Sequence, residues 1–294
     1  MAALTGLEQV TAAAPAAPAR PRLWRGAVLL PAAAYFLVPL CASLWYTVHT
    51  PGAGVSLAAY GELVTAEGFA RSLLLSLSLA AATIVLVLLL TLPAMLAVRL
   101  SAPRLRPVLE VLCTLPLVVP PITFVAGIGT ALRTGADVLA PTPFWATLIA
   151  AQDPGFPVVL VLAYVVLVLP FVHRSLDAGL RTMDVRTLVE AARNLGASWP
   201  HVMFRVVMPN LRSALASASF LTLALVLGEY TVASLLGYEP FAVWIVTVSG
   251  SKGQVSVAVS ILSLVLVWLL LLAMSGALAR RNPVTAHPVK ERRT

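Results

Sequence analysis

Long unbroken apolar runs, rather than alternating apolar and polar faces, set the pattern of this 294-residue chain. Six of them, at residues 26–48, 71–98, 108–132, 156–174, 212–236 and 255–279, are long enough to cross a bilayer. At 1.5 Å per helical residue such runs match a hydrocarbon core of about 30 Å. Helical geometry then satisfies their backbone polar groups where no water can. The pattern predicts an all-α integral membrane protein with six transmembrane helices, forming one membrane domain over residues 23–282. The fourth run is the shortest, and Pro170, His173 and Arg174 leave its inner end unsettled.

Composition strengthens that reading. Charged residues are 11% of the chain, where a soluble domain carries roughly 25%. The net charge of +8 does not point to nucleic acid, because the bases sit beside apolar runs and not on one helix or tail. With the N-terminus inside, 17 of the 20 bases fall on inner segments, against Arg71, Arg133 and Lys252 outside. Both termini are therefore expected in the cytoplasm. Residues 1–22, rich in Ala and Pro, read as a disordered cytoplasmic tail, and 283–294 as a basic one. The stretch from Arg20 to Ser43 imitates a secretion signal, but its apolar run exceeds the 7–15 residues of such signals and reads as an uncleaved first span.

Few residues offer chemistry. Cys41 and Cys113 have no metal-ligand spacing, and His49, His173, His201 and His287 pair with no evident nucleophile, so neither a catalytic nor a metal site is expected. No phosphate-binding loop of the G-x-x-x-x-G-K-[ST] type is present; Gly250-Ser251-Lys252-Gly253 lacks the spacing. Energy for any transport against a gradient must come from a partner.

The connection between the fourth and fifth runs is the longest, and it is patterned. Within residues 187–209, Leu188, Ala191, Ala192 and Leu195 recur at helical spacing, as do Trp199, Val202, Met203 and Val206. Gly196 stands where the first helix needs a left-handed residue. Ser198 can cap the second, Pro200 suits its first turn, and Pro209 is expected to end it. Periodicity alone fits a hairpin lying on the lipid surface as well as one plugged into a groove on a cytoplasmic partner.

Glu190-Ala191-Ala192, followed by Gly196 and Pro209, resembles the EAA motif of type I ABC importer permeases. The likeness extends to Leu195, Ala197, Phe204, Val207 and Leu211, and covers about residues 70–275, with the first span as an additional N-terminal helix. The resemblance implies a permease subunit of the bacterial cytoplasmic (inner) membrane that forms half of a translocation path. It implies a coupling hairpin, with Glu190, Ala191, Ala192, Leu195, Gly196 and Pro209, docked into a cytoplasmic ABC ATPase dimer. It further implies a second permease subunit, homologous or identical, and an extracytoplasmic solute-binding protein. ATP and Mg would be bound by the ATPase, with no cofactor in this chain. Glu190 would pair with a base on the ATPase or within the loop, or stand as a solvated helix charge.

Two features bear on the path. Pro116, Pro120 and Pro121 crowd the third run and must bend it; irregular backbone at membrane depth needs cover from protein or water. Glu229 is the one acid deep in a run, and it is expected to face the bundle interior or an aqueous path, unless Tyr230, Thr231 or backbone satisfies it. Gly228-Glu229-Tyr230 and the loop look most like the spermidine/putrescine branch, with ferric-iron, sulfate and thiamine permeases as alternatives. A gradient-driven secondary transporter remains the reading of another class.

Overall fold

The computed structural model of the chain describes residues 23–50 and 54–280; the two tails read as disordered or basic lie outside them. Helix α1 (Leu23–Val48) is for most of its length a unit of its own, ending at Trp45, and keeps its helical course through Pro31 and Pro39. The second unit begins at Tyr46. Its two-residue strands β1 (His49–Thr50) and β2 (Gly54–Val55) pair antiparallel, with His49 opposite Val55. All other regular structure among the described residues is helical.

Helices α2 (Ala58–Thr65) and α3 (Phe69–Leu100) follow. The third apolar run is not one helix. It divides into α4 (Arg106–Thr114), a 3-10 turn at Leu115–Leu117, and α5 (Pro121–Leu139). The physical reason is the one foreseen: Pro116, Pro120 and Pro121 remove three donors, and Pro120 takes an extended ψ of 138° before α5 begins. Helix α6 (Phe144–Ala150) sits in the connection to α7 (Val158–Arg181). That fourth helix corrects the expected end at 174. It runs on through Pro170 to Arg181 because Leu176 and Leu180, both fully buried, are held by the core.

The hairpin consists of α8 (Val185–Asn194) and α9 (Trp199–Asn210). Helix α10 (Arg212–Gly228) leaves α9 at an angle of 81°. The fifth run, expected to be continuous over 212–236, is broken as well: α10 ends at Gly228, Glu229 is extended, and α11 (Thr231–Leu235) restarts. Helix α12 (Phe241–Ser249) and α13 (Gly253–Arg280) complete the described chain, α13 covering the sixth run.

Four described helices, α1, α3, α5 and α7, are long and apolar enough to cross a membrane; α9 with α10 passes as a bent fifth. Helices α3, α7 and α10 form the central layer, with Leu79, Leu160, Tyr164 and Ala218 fully buried. A smaller aromatic cluster lies away from the hairpin. Phe69, Phe241 and Trp244 stack or meet edge to face. The Trp244 indole donates to the Glu67 carbonyl at 3.0 Å and occupies the space where a Cβ on Gly68 would stand.

Candidate functional site

The hairpin is built by local rules. Asp184 starts α8: its carboxylate accepts from the Thr187 amide at 3.2 Å and from the Thr187 hydroxyl at 2.7 Å. These bonds, the hydroxyl one first, hold the Asp184 carboxyl below the usual carboxylate range. At the other end Gly196 has φ +86°, its amide bonds Arg193 O at 2.9 Å, and the Ala197 amide bonds Ala192 O at 3.1 Å. That pair of bonds is a Schellman closure, which needs a left-handed residue at this position. Arg193 fastens the turn a second time, donating to Ala197 O at 2.7 Å while its guanidinium lies 5.5 Å from the Trp199 ring centre.

Two details of the expected hairpin are corrected. Ser198 occupies the position before α9 but its side chain makes no capping bond; Pro200, at the start of the helix, has no amide to cap. Pro209 does not end α9, which reaches Asn210. Residues Val202–Val207 widen into a π turn, with Met208 N bonded to Met203 O. The wider turn relieves the clash a proline ring makes with the carbonyl four residues earlier.

The faces also differ from the expected ones. Val185 and Val189 are buried and Leu188 and Ala192 half-buried, so α8 packs through 185/188/189/192. Ala191 and Leu195 turn outward. In α9, Val202 and Val207 are buried, whereas Trp199 faces out. Leu195 is 89% exposed, Phe204 63% and Trp199 53%. Val185, Val189, Val202 and Val207 belong to the same continuous core as Leu176 and Leu180 of α7 and Leu211. The hairpin is thus clasped to the central layer and presents an apolar tip. Glu190 is exposed and has no ion pair among the described residues.

Sequence reasoning missed an ion-pair node beside the hairpin. Asp177 of α7 accepts from Arg99 of α3 at 2.5 Å and from Arg181 at 2.6 Å, and Arg106 of α4 approaches to 3.8 Å. Arg99 also donates to Leu180 O at 2.9 Å. The signal was an acid near the end of a span whose surroundings are rich in arginine.

Away from the hairpin, the structure brings most of the suspected path residues together. A cavity of about 310 Å³ is lined by Pro116, Pro121 and Glu229, with Tyr164, Phe171 and Thr231. Pro120 is not among the lining residues. Glu229 is not free: its two carboxylate oxygens accept separately from the amides of Val232 at 2.7 Å and Ala233 at 3.2 Å. It therefore caps α11 where the fifth apolar run breaks, the backbone satisfaction that stood as the alternative to a path role. Tyr164, 1% exposed, was not foreseen. It lines the cavity beside Glu229, yet its hydroxyl makes no hydrogen bond of ordinary geometry among the described residues.

A family model described as "binding-protein-dependent transport system inner membrane component" matches residues 104–282, more than half of the chain and the part that holds the hairpin and the cavity. The chain belongs to that family. Within it, the chain is 34% identical over 171 residues to the molybdenum transport system permease protein of Mycobacterium tuberculosis. That alignment covers 58% of this chain and 63% of the relative, so it spans less than two thirds of the relative's length. The putrescine transport system permease protein of Escherichia coli K12 is 28% identical over 219 residues, covering 72% of this chain and 74% of its own. A bacterial ABC transporter involved in the import of the acidic polysaccharide alginate shares the fold, at a TM-score of 0.63 and 16% identity, over 89% of this chain and 100% of that one. Both curated relatives are named as permease proteins.

Proposed function

We propose that the chain is one permease subunit of an ATP-driven importer, and that α8 and α9 dock into a separate cytoplasmic ABC ATPase. One observation carries the proposal: a hairpin stapled internally and clasped to the membrane core leaves Leu195, Trp199 and Phe204 exposed at its tip. Bare apolar side chains at the end of a rigid arm are what helix-in-groove docking requires. In this reading the hairpin end is cytoplasmic, as are both termini. Six spans cross the inner membrane, and Glu190 with Ala191 lies on the docking side. A two-fold ATPase has two clefts, so a second permease subunit completes the path, and an external binding protein delivers solute. ATP and Mg belong to the ATPase.

For the solute we propose a polyamine. The cavity beside Glu229 offers apolar walls, one carboxylate and one phenol, and no Lys or Arg lines it. That lining suits methylene chains ending in ammonium groups better than an oxyanion. The putrescine permease named above aligns over nearly three quarters of its length.

Gly196→Val tests the coupling assignment. A Cβ there meets nothing within 4 Å, so the damage is conformational: a β-branched residue at positive φ costs about 1–3 kcal/mol and opens the Schellman closure. The variant should insert at normal levels and lose most ATP-driven uptake of labelled putrescine, with the ATPase no longer co-purifying. Full ATP-dependent uptake by Gly196→Val would sink the docking role. Uptake that survives ATP depletion but stops with a protonophore would favour a gradient-driven carrier. Saturable molybdate uptake with none of putrescine would keep the class and reject the polyamine.

A further inference from the structure

A second cavity adjoins the first. It is an open groove of about 620 Å³ between α7 and α10, lined by Arg174, Ser175, Thr182, Ser213 and Ser217, and it lies toward the hairpin. Phe171 lines both cavities. The lining positions on α7 are Tyr164, Leu167, Val168, Phe171, Arg174, Ser175, Ala178 and Gly179, with Thr182 just past its end; they recur at the three- and four-residue spacing of one helix face. On α10 the lining positions are Ser213, Ala214, Ser217, Leu221, Leu225 and Val226. From Tyr164 to Thr182 the α7 stripe extends about 27 Å at 1.5 Å per residue, close to the thickness of a hydrocarbon core of roughly 30 Å.

This face is chemically unlike a lipid-facing one. Arg174 is exposed on it and has no ion pair among the described residues, an arrangement costly against hydrocarbon. Ser213 and Ser217 are exposed beside it. In the chamber on the far side of Phe171, the buried Tyr164 hydroxyl has only Glu229 to interact with, whose oxygens already accept from two amides, and it makes no hydrogen bond of ordinary geometry among the described residues. A buried hydroxyl so poorly paired costs free energy unless something visits it. Between the hydroxyl-lined groove and the chamber the stripe is interrupted by a large apolar ring.

We propose that the α7–α10 stripe is the solute-facing surface of this chain, and that Phe171 is the gate between an inner groove and an outer chamber in which the Tyr164 hydroxyl meets the solute. The assignment rests on the importer reading, since it needs a path, but it does not depend on which ATPase drives it. With Phe171 in place, a polar solute in the chamber faces the groove across a ring that offers it no hydrogen bond. Movement of α7 against α10 shifts Phe171 relative to Leu221 and Leu225, and this joins the two spaces.

Thiol accessibility tests this without transport as the readout. In a background of Cys41→Ala and Cys113→Ala, single cysteines are placed in the groove (Ser217→Cys) or the chamber (Leu225→Cys). Inside-out native membrane vesicles without nucleotide are treated with a membrane-impermeant trimethylammonium methanethiosulfonate. Ser217→Cys should react readily and Leu225→Cys about tenfold more slowly or less, the factor a 1.4 kcal/mol barrier gives. Adding Phe171→Ala should remove that difference, and Phe171→Leu, which keeps an apolar side chain if Ala impairs insertion, should reduce it. Phe171→Trp should preserve it. Equal rates with Phe171 present, or a difference indifferent to Phe171→Ala, would overturn the gate. If Ser217→Cys is unreactive from the hairpin side, the groove is covered by another subunit or by lipid and the path assignment falls. Loss of the importer reading would appear elsewhere, as a missing ATPase on purification, whatever the labelling rates.

Discussion

At Glu229 a carboxylate at membrane depth does two things at once, holding an unwound backbone and lining a cavity. Its oxygens each take one amide of the first turn of α11. A glutamine offers one acceptor oxygen and turns an N–H group toward the second amide. Glu229→Gln should therefore lose a cap worth about 1 kcal/mol, and Glu229→Ala more. Hydrogen exchange at Val232 and Ala233 should quicken in both variants while the yield of assembled complex holds, and uptake should fall. Unaltered exchange at those amides would remove the capping role; faster exchange with unaltered uptake would show that the break in span five is not part of the transport cycle. The sequence marked Glu229 as an ionisable group needing a partner, but which partner depended on where the helix would break. Tyr164 gave no signal, because a tyrosine in an apolar run looks like any other aromatic until it is seen to line a cavity with Glu229.

Among the elements, the hairpin was legible where its rules are local. Gly196 after an apolar run, and Pro200 in a first turn, depend only on neighbours in the chain. The packed face was not legible, since α8 could bury 188/191/192/195 or 185/188/189/192, and what decides is the surface offered by residues 202–207 of α9, where Val202 and Val207 are buried in the same core. The Asp177 node was hidden for a like reason: Arg99 and Asp177 are 78 positions apart, and meet only through the packing of α3 on α7. Asp184 supplies a pH test at this scale. Its folded carboxyl lies below the unfolded value, so its contribution is fully present above the unfolded aspartate pKa of about 3.9 and is lost as pH falls through the folded value. Protection of the Thr187 amide should be level from neutral pH down to about 3.9 and fall between there and the lower folded value, and Asp184→Asn should flatten the fall. Protection unaffected by Asp184→Asn would mean the cap is not what starts α8.

On the scale of the molecule, α7 and α10 pack directly on one another and share one core with the hairpin, and in the proposed importer this crossing carries movement of the hairpin into the membrane layer. The helices meet there at small residues. A Cβ on Gly179 would overlap the Ala214 side chain and come within 3.1 Å of Leu211, and the Ser175 hydroxyl donates to Ala214 O at 3.1 Å. Close approach through small residues is how membrane helices gain packing without a hydrophobic driving force. Gly179→Ala must push the helices apart or shift a backbone, at a cost of about 1–3 kcal/mol, and it should lower the thermal midpoint of the purified complex and slow uptake. Ala214→Gly empties the space the new methyl needs, while itself costing about 1 kcal/mol of helix propensity. The double variant should then recover part of the midpoint and more of the uptake, because contact is restored although α10 is intrinsically weaker. Additive losses in the double variant would show that the two positions do not share a contact. The hairpin would then have to act on the membrane layer through Asp177 and its arginines instead.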